Sequence, residues 1–291
     1  MSVLECKGIT KRYKDKEVLK GVDLKIEQGK IYGLIGRNGA GKTTLLSILT
    51  AQSPANSGEV RVDGEPVWEN RNALDKLCFS REINSMSILG PNNLKIKEYF
   101  RIAKTFYPNW DEELAEKLIT DFGIKPKSKI HKLSKGMLSM VTIAIGMASK
   151  APITILDEPV AGLDVVARED FYRMVIEENA ETGRTFIIST HIIEEAADVF
   201  EEVMFLKDGV IFLKENTQDI LERSKHITGL SEEVDKACEN LNVYHEENMG
   251  RSKGVTVILN DGENIKEGCD VTIQPVSLQQ LFVAVCGREE V

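Results

Sequence analysis

The sequence predicts an α/β fold built on a mostly parallel sheet, and three observations carry that expectation. Apolar runs of strand length recur at Ile31–Ile35, Ile153–Leu156, Thr185–Ser189 and Val203–Leu206. They are continuous rather than alternating, as expected of strands buried on both faces. Segments of helical period stand between them, notably Lys42–Thr50 and Met137–Ala148, and strands alternating with helices imply parallel pairing. Two Asp-Gly turns, Asp63-Gly64 and Asp208-Gly209, each sit between strand-like residues and add an antiparallel portion.

Taken in order, Val3–Tyr13 reads as a short mixed strand. Leu24–Ile35 alternates at its start and ends in the first buried run. Val60–Val67 reads as a hairpin turning at Asp63-Gly64. Between about residues 83 and 150 the character changes. Glu98–Lys104, Asp111–Phe122 and Met137–Ala148 all have helical period, which predicts a helical subdomain inserted between strands. The strand pattern then returns and closes with the hairpin at Asp208-Gly209, before Val210–Leu213. Beyond about Lys225 charge is dense, yet Val255–Leu259 and Val271–Ile273 read as strands. Ser277 and Gln280 form a capping-box pattern that opens a short apolar helix, Leu278–Val285. The expected division is a main domain at residues 1–224 and a small α+β C-terminal domain at 225–291.

Composition narrows the function classes. The 291 residues carry 37 Lys and Arg against 46 Asp and Glu, a formal charge of −9. That balance argues against a nucleic-acid partner held by bulk positive charge. Hydrophobic residues at 42% and charged residues at 29% describe a globular chain. No apolar run approaches the roughly 18 residues of a membrane-spanning helix. The first residues lack the basic and apolar blocks of a signal peptide. Any work at a membrane is therefore expected to go through a partner. The five cysteines are scattered, with no C-x-x-C pair. Neither a disulfide framework nor a zinc site is expected, and a reducing cytosol fits best.

The chemistry-bearing residues begin right after the first buried run. Gly36-Arg37-Asn38-Gly39-Ala40-Gly41-Lys42-Thr43-Thr44 contains G-x-x-x-x-G-K-[ST], placed between a strand and a helix. Its glycines let successive backbone N–H groups turn around phosphate oxygens, and the helix amino end adds to the anion site. In such a P-loop NTPase, Lys42 reaches the β- and γ-phosphates and the Thr43 hydroxyl can ligate Mg2+. Ile153–Leu156 runs into Asp157-Glu158-Pro159. A carboxylate at Asp157 can meet the same Mg2+, and Glu158 at the strand end can polarise an attacking water.

Between these motifs lies Leu133-Ser134-Lys135-Gly136-Met137. Alone it reads as a helix start capped by serine. In this company it resembles the signature of the ATP-binding subunits of ABC transporters, usually written L-S-G-G-Q. The resemblance covers about residues 3–222 and continues in order. Asp157-Glu158 matches Walker B and the catalytic Glu, Ala161–Asp164 resembles the D-loop, and His191 after a strand looks like the switch histidine. Tyr13 stands where an aromatic usually stacks on adenine. The resemblance implies a Mg-dependent ATPase acting as a head-to-tail dimer with a second ATP-binding subunit, either an identical copy or a paralogue. Ser134 and Gly136 then address the γ-phosphate held by that second subunit, with Asp164 close by. It implies transmembrane permease subunits as partners and a peripheral place on the cytoplasmic face of the membrane. Pro275–Val285 resembles the closing helix of exporter-type subunits. With Tyr107–Asp111 and the L-S-K-G signature, it points to bacterial antibiotic or bacteriocin-type exporters. A soluble ATPase of the same fold, with an assembly or regulatory role and no transport, is the alternative.

Two departures from the family pattern stand out. Lys135 and Met137 replace the usual Gly and Gln of the signature. In addition, no Gln occurs between Gln52 and Gln218, so the Q-loop glutamine is missing. Glu82 aligns best with it, with Arg81 the competitor. A carboxylate at Glu82 can ligate Mg2+ directly or through water.

Overall fold

The computed structural model describes residues 3–83 and 93–287. The first half of the chain runs β1 (Leu4–Tyr13), β2 (Lys16–Ile26), β3 (Ile31–Ile35), α1 (Lys42–Leu49), β4 (Ser57–Val62), β5 (Glu65–Pro66), α2 (Arg71–Leu74), β6 (Leu77–Arg81), α3 (Ile96–Lys104), α4 (Glu112–Asp121) and α5 (Lys135–Ala148). The second half runs β7 (Ile153–Asp157), α6 (Val165–Thr182), β8 (Thr185–Thr190), β9 (Glu202–Lys207), β10 (Val210–Asn216), α7 (Thr217–Arg223), β11 (Ser224–Leu230), α8 (Ser231–Ala237), β12 (Val243–Met249), β13 (Ser252–Ile258), β14 (Val271–Pro275) and α9 (Leu278–Cys286).

A six-stranded sheet of order β10-β9-β3-β8-β7-β6 forms the centre. Its neighbours pair in parallel except for the β9–β10 hairpin. Every residue of β3, β7 and β8 is buried, which is why these strands read as unbroken apolar runs. Gly33 sits where a Cβ would lie 2.3 Å from the Phe200 ring, so the ring packs flat on β3 only because the side chain is absent.

A second, antiparallel sheet has the order β2-β1-β4-β5. The Leu24–Ile35 stretch is thus divided between two sheets. β2 ends at Ile26, Gly29 turns the chain at φ 86°, and β3 starts in the central sheet. Both Asp-Gly turns close hairpins. Asp63 and Gly64 have φ 54° and 81°, and Asp208 and Gly209 have 49° and 83°, the left-handed pair that matches strand twist.

The helices expected between residues 83 and 150 are α3, α4 and α5; residues 84–92 of that stretch lie outside the described residues. Asp111 caps α4 by accepting from Leu114 N–H at 2.9 Å. The long helix α6 escaped the pattern reading because its apolar residues do not keep to one face. Val165, Val166 and Ile176 are exposed, while Phe171, Tyr172 and Val175 are buried. At its end a buried Arg184 gathers the structure. It pairs with Glu178 at 2.8 Å and donates to the carbonyls of Ala151, Met147 and Gly146 at 3.0 Å each. A buried cation is tolerated because so many acceptors meet it.

The C-terminal part forms a third sheet, antiparallel, of order β12-β13-β11-β14. Helix α8 covers one face of it around Ile227, Val234, Ala237, Val255 and Val257. Helix α9 goes elsewhere. Leu278, Leu281 and Val285 join the main core with Phe205 and Ile220, and Phe282 meets Phe205 edge-on at 5.5 Å. Lys207 Nζ donates to Val285 O at 2.8 Å. Helix α9 is therefore part of the main core. Leu281→Ala should destabilise the main domain by about 2–5 kcal/mol, the usual cost of a buried Leu-to-Ala change. The measurement is the denaturant midpoint followed by a probe in the central sheet. An unmoved midpoint would mean that α9 is only an appendage.

Candidate functional site

The central sheet brings its candidate site residues to one edge, the carboxyl ends of the parallel strands, where ligands bind in open α/β sheets. Gly36 follows β3, Asp157 ends β7, and His191 follows β8. The loop after β3 is shaped by glycine. Gly39 and Gly41 take φ 82° and 111°, and a Cβ on Gly36 would lie 2.8 Å from Leu206 O. Only backbone can pass there. The loop enters α1, whose amino end has no side-chain cap. In contrast, Ser134 caps α5, Asp164 caps α6 and Ser277 caps α9. The first N–H groups of a helix have no intrahelical acceptor. At α1 they are left for an anion.

Lys42 is buried and held inside its own loop, with Nζ donating to Gly36 O at 2.7 Å. The same Nζ lies 3.2 Å from Glu158 Oε1. The other oxygen of Glu158 is 2.6 Å from His191 Nδ1. Glu158 therefore bridges the phosphate loop and the loop after β8. Its backbone has φ 52° and is fixed by its N–H, which donates to Ser189 O and to Ser189 Oγ at 3.1 and 3.0 Å. Asp157 is buried and doubly held. Thr43 Oγ1 donates to its Oδ2 at 2.7 Å, and Ser189 Oγ donates to its Oδ1 at 2.5 Å. Thr190 Oγ1 accepts from Ile192 N–H at 2.9 Å and pins the turn that carries His191.

Lys42, Thr43, Asp157, Glu158 and His191 thus form one connected group. Tyr13 lies at the β1–β2 turn with its ring half exposed and Lys11 Nζ at 5.1 Å from its centre. Arg37, Asn38 and Gly39 are exposed, Ala40 and Thr44 half-buried. The signature forms a separate cluster. Ser134 Oγ accepts from Met137 N–H at 3.2 Å. A Cβ on Gly136 would lie 2.6 Å from Gly162 O, so the signature packs backbone to backbone on the loop that leads to Asp164. Asp164 Oδ1 accepts from Ala167 N–H at 2.9 Å. Glu82 stands outside the group around Thr43. Strand β6 carries Arg81, not Glu82, into register with Asp157, and the Glu82 carboxylate lies 3.4 Å from Lys135 Nζ.

Comparison with known proteins identifies the family. The family model described as ABC transporter matches residues 19–161. The ABC transporter ATP-binding protein YtrB of Bacillus subtilis is 26% identical over 98% of each chain. An ABC transporter ATP-binding protein of Methanocaldococcus jannaschii is 32% identical over 77% of this chain and 81% of its own. The chain belongs to the ABC transporter ATP-binding family. Among solved structures, a dimeric ATP-binding cassette in a post-hydrolysis state, bound to ADP and Pi, superposes with TM-score 0.63. That match is 25% identical over 74% of this chain and 98% of the other. The fold is the ABC cassette form of the P-loop NTPase, and the chain is an ATP-binding, ATP-hydrolysing subunit of this family. Among the described residues, no helix of this cassette is long and apolar enough to cross a membrane.

One functional residue escaped the sequence reading. Ser189 links both carboxyl-bearing residues at the end of β7, and its only signal was its place at the end of a buried run. On the expectation that Asp157 ligates Mg2+, Ser189→Ala should lower the ATPase kcat by about tenfold to a hundredfold, the usual effect of removing a partner that orients such a carboxylate. ATP affinity should hold. Wild-type turnover in steady-state kinetics would show that the Asp157 geometry needs no support from β8.

Proposed function

We propose that this cassette hydrolyses ATP at the Glu158 centre and drives transport through separate transmembrane permease subunits. The observation that carries the reading is the Glu158 carboxylate, between Lys42 and His191 at 3.2 and 2.6 Å. In the proposed reaction water attacks the γ-phosphorus in line, its bond to the β–γ bridging oxygen breaks, and ADP leaves with inorganic phosphate as the other product. Glu158 polarises that water, His191 orients it, and Lys42 with the uncapped α1 amino end stabilises charge on the phosphates.

A hydroxyl and a carboxylate meet at Thr43 and Asp157, 2.7 Å apart. Among the described residues no cluster of three or more His, Cys, Asp or Glu surrounds a possible metal position. That donor set suits Mg2+, which takes few protein ligands and completes its shell with phosphate oxygens and water. When bound, Mg2+ neutralises charge between the β- and γ-phosphates.

Two cassettes are proposed to face head to tail, so that Ser134 and Gly136 of one meet the nucleotide of the other. The separation of the two clusters within one chain supports this. So do Val165 and Val166, apolar and exposed right beside Asp164, where a protein contact would cover them. The place of work is the cytoplasmic face of the membrane. The direction is export, in keeping with the exporter-type closing helix, α9.

Glu158→Gln should keep ATP binding and reduce hydrolysis by about 10²- to 10⁴-fold, because the amide is a poor base. Near-normal turnover of the purified variant would remove Glu158 from the base role. Composite sites have their own test. Lys42→Ala and Ser134→Arg homodimers should both be nearly inactive, while mixing them creates one intact site and restores some hydrolysis. No rescue in mixed dimers that demonstrably form on ATP would oppose this arrangement. Purification without any polytopic membrane partner would favour the soluble assembly role.

A further inference from the structure

The two departures from the family's usual pattern meet each other in this fold. Lys135 Nζ lies 3.4 Å from Glu82 Oε1, with the side chains 59% and 55% exposed. So exposed a pair contributes little to stability, because water screens it and two long side chains lose freedom in forming it. The same weakness makes it easy to exchange.

Its position gives the exchange a purpose. Lys135 is the first residue of α5, directly between Ser134 and Gly136. The first turn of α5 holds no acidic residue, so the helix amino end and the Lys135 cation concentrate positive charge at one place. Within the chain, Glu82 offsets it. Glu82 in turn follows Arg81, which is in register with Asp157. One peptide link thus separates the carboxylate from the strand that flanks β7.

Resting on the reading that Ser134 and Gly136 face the nucleotide of a second subunit, we propose that Glu82 and Lys135 form an exchangeable latch. Lys135 leaves Glu82 for the γ-phosphate across the interface, and Glu82 holds the signature back until that phosphate arrives. ADP carries no γ-phosphate and leaves the pair intact. The exchange is purely electrostatic: Lys135 binds the γ-phosphate directly, and Glu82 is a positioning residue that acts through Lys135.

The latch predicts effects of opposite sign. In the Glu158→Gln background, which removes turnover, dimer formation is followed by analytical ultracentrifugation across an ATP titration with Mg2+, with ADP as control. Glu82→Gln frees Lys135 and should lower the ATP concentration at half-dimerisation by about two- to fivefold, the range open to an exposed pair. Lys135→Gln should raise it by a similar factor, and neither should promote dimerisation by ADP. If both variants weaken dimerisation, the pair is a structural brace and the latch is overturned. If Glu82→Gln weakens it in a way that extra Mg2+ corrects, while Lys135→Gln has no effect, Glu82 is a metal ligand and the latch is again overturned. Ser134→Arg separates the two levels. Undiminished ATP-driven dimerisation in that variant overturns the composite site itself, whereas its loss beside unshifted Glu82→Gln and Lys135→Gln midpoints overturns the latch alone.

Discussion

The parallel register of the central sheet is the constraint on which the site depends. Arg81, Asp157 and Ser189 fall in one row across β6, β7 and β8, and Ile35 pairs with Thr190 across β3 and β8. Each strand therefore ends at the same level, and the loops that leave those ends lie side by side. The phosphate loop leaves β3, Glu158 leaves β7 and His191 leaves β8. Strands β3, β8 and β7 are each locked between two neighbours, so their residues cannot slip singly. Burial of β3, β7 and β8 fixes that register through apolar contact on both faces. The 2.5–3.2 Å contacts among Thr43, Asp157, Ser189, Lys42 and Glu158 are consequences of it.

A second constraint links the signature to the rest of the cassette. Gly136 and Gly162 approach so closely that a Cβ on either would crowd the other segment. Ser139 Oγ donates to Ala161 O at 2.6 Å and holds the same contact one turn further along α5. The start of α5 therefore moves with the loop before Asp164, and that loop leaves directly from the Glu158 strand. The stretch that follows Asp157 and Glu158 is thus joined to the signature by backbone packing and one short side chain, with no long side chain between them. Coupling of this kind needs packed elements with little slack.

Much of this was legible in the sequence, and for identifiable reasons. Buried parallel strands leave unbroken apolar runs. The phosphate loop leaves glycines, and Asp-Gly leaves hairpins whose φ values are positive at both residues. Tight local chemistry writes itself into a few adjacent positions. The features that stayed hidden depend on pairing over distance. Ser189 gives no local sign of holding Asp157, because the two are 32 residues apart and meet only through β7–β8 register. Helix α6 hid because it exposes Val165, Val166 and Ile176 while burying Phe171, Tyr172 and Val175, so its apolar residues mark no single face. For α9, the capping box gave the helix start, and Gln280 Oε1 does accept from Ser277 N–H at 2.9 Å. No periodicity says that such a helix returns to Phe205 rather than to its own sheet. Glu82 is a similar case. Alignment with the Q-loop left Glu82 and Arg81 as alternatives, and only the β6–β7 register shows that Arg81 stands opposite Asp157 while the Glu82 carboxylate lies 3.4 Å from Lys135.

The same residues also explain why the site, of all regions, was the clearest to read. It is where the sequence departs from what stability alone would favour. Glu158 holds a left-handed φ of 52° without being glycine, a strain of about 1–3 kcal/mol. Lys42 is 7% exposed and Glu158 19%, so both charges have lost most of their water, and a paired burial of this kind tends at best to break even against apolar packing. Helix α1 forgoes the side-chain cap that α4, α5, α6 and α9 all possess, which leaves its first donors unsatisfied by the protein. Bound phosphate offsets the costs at Lys42 and α1, since an anion satisfies the α1 donors and adds a partner for Lys42 beside Gly36 O and Glu158. Gly39 and Gly41, by contrast, carry positive φ at no steric cost, so the loop itself remains relaxed while its neighbours carry the strain. A site assembled from such local exceptions announces itself in sequence, because ordinary core positions have no reason to combine them.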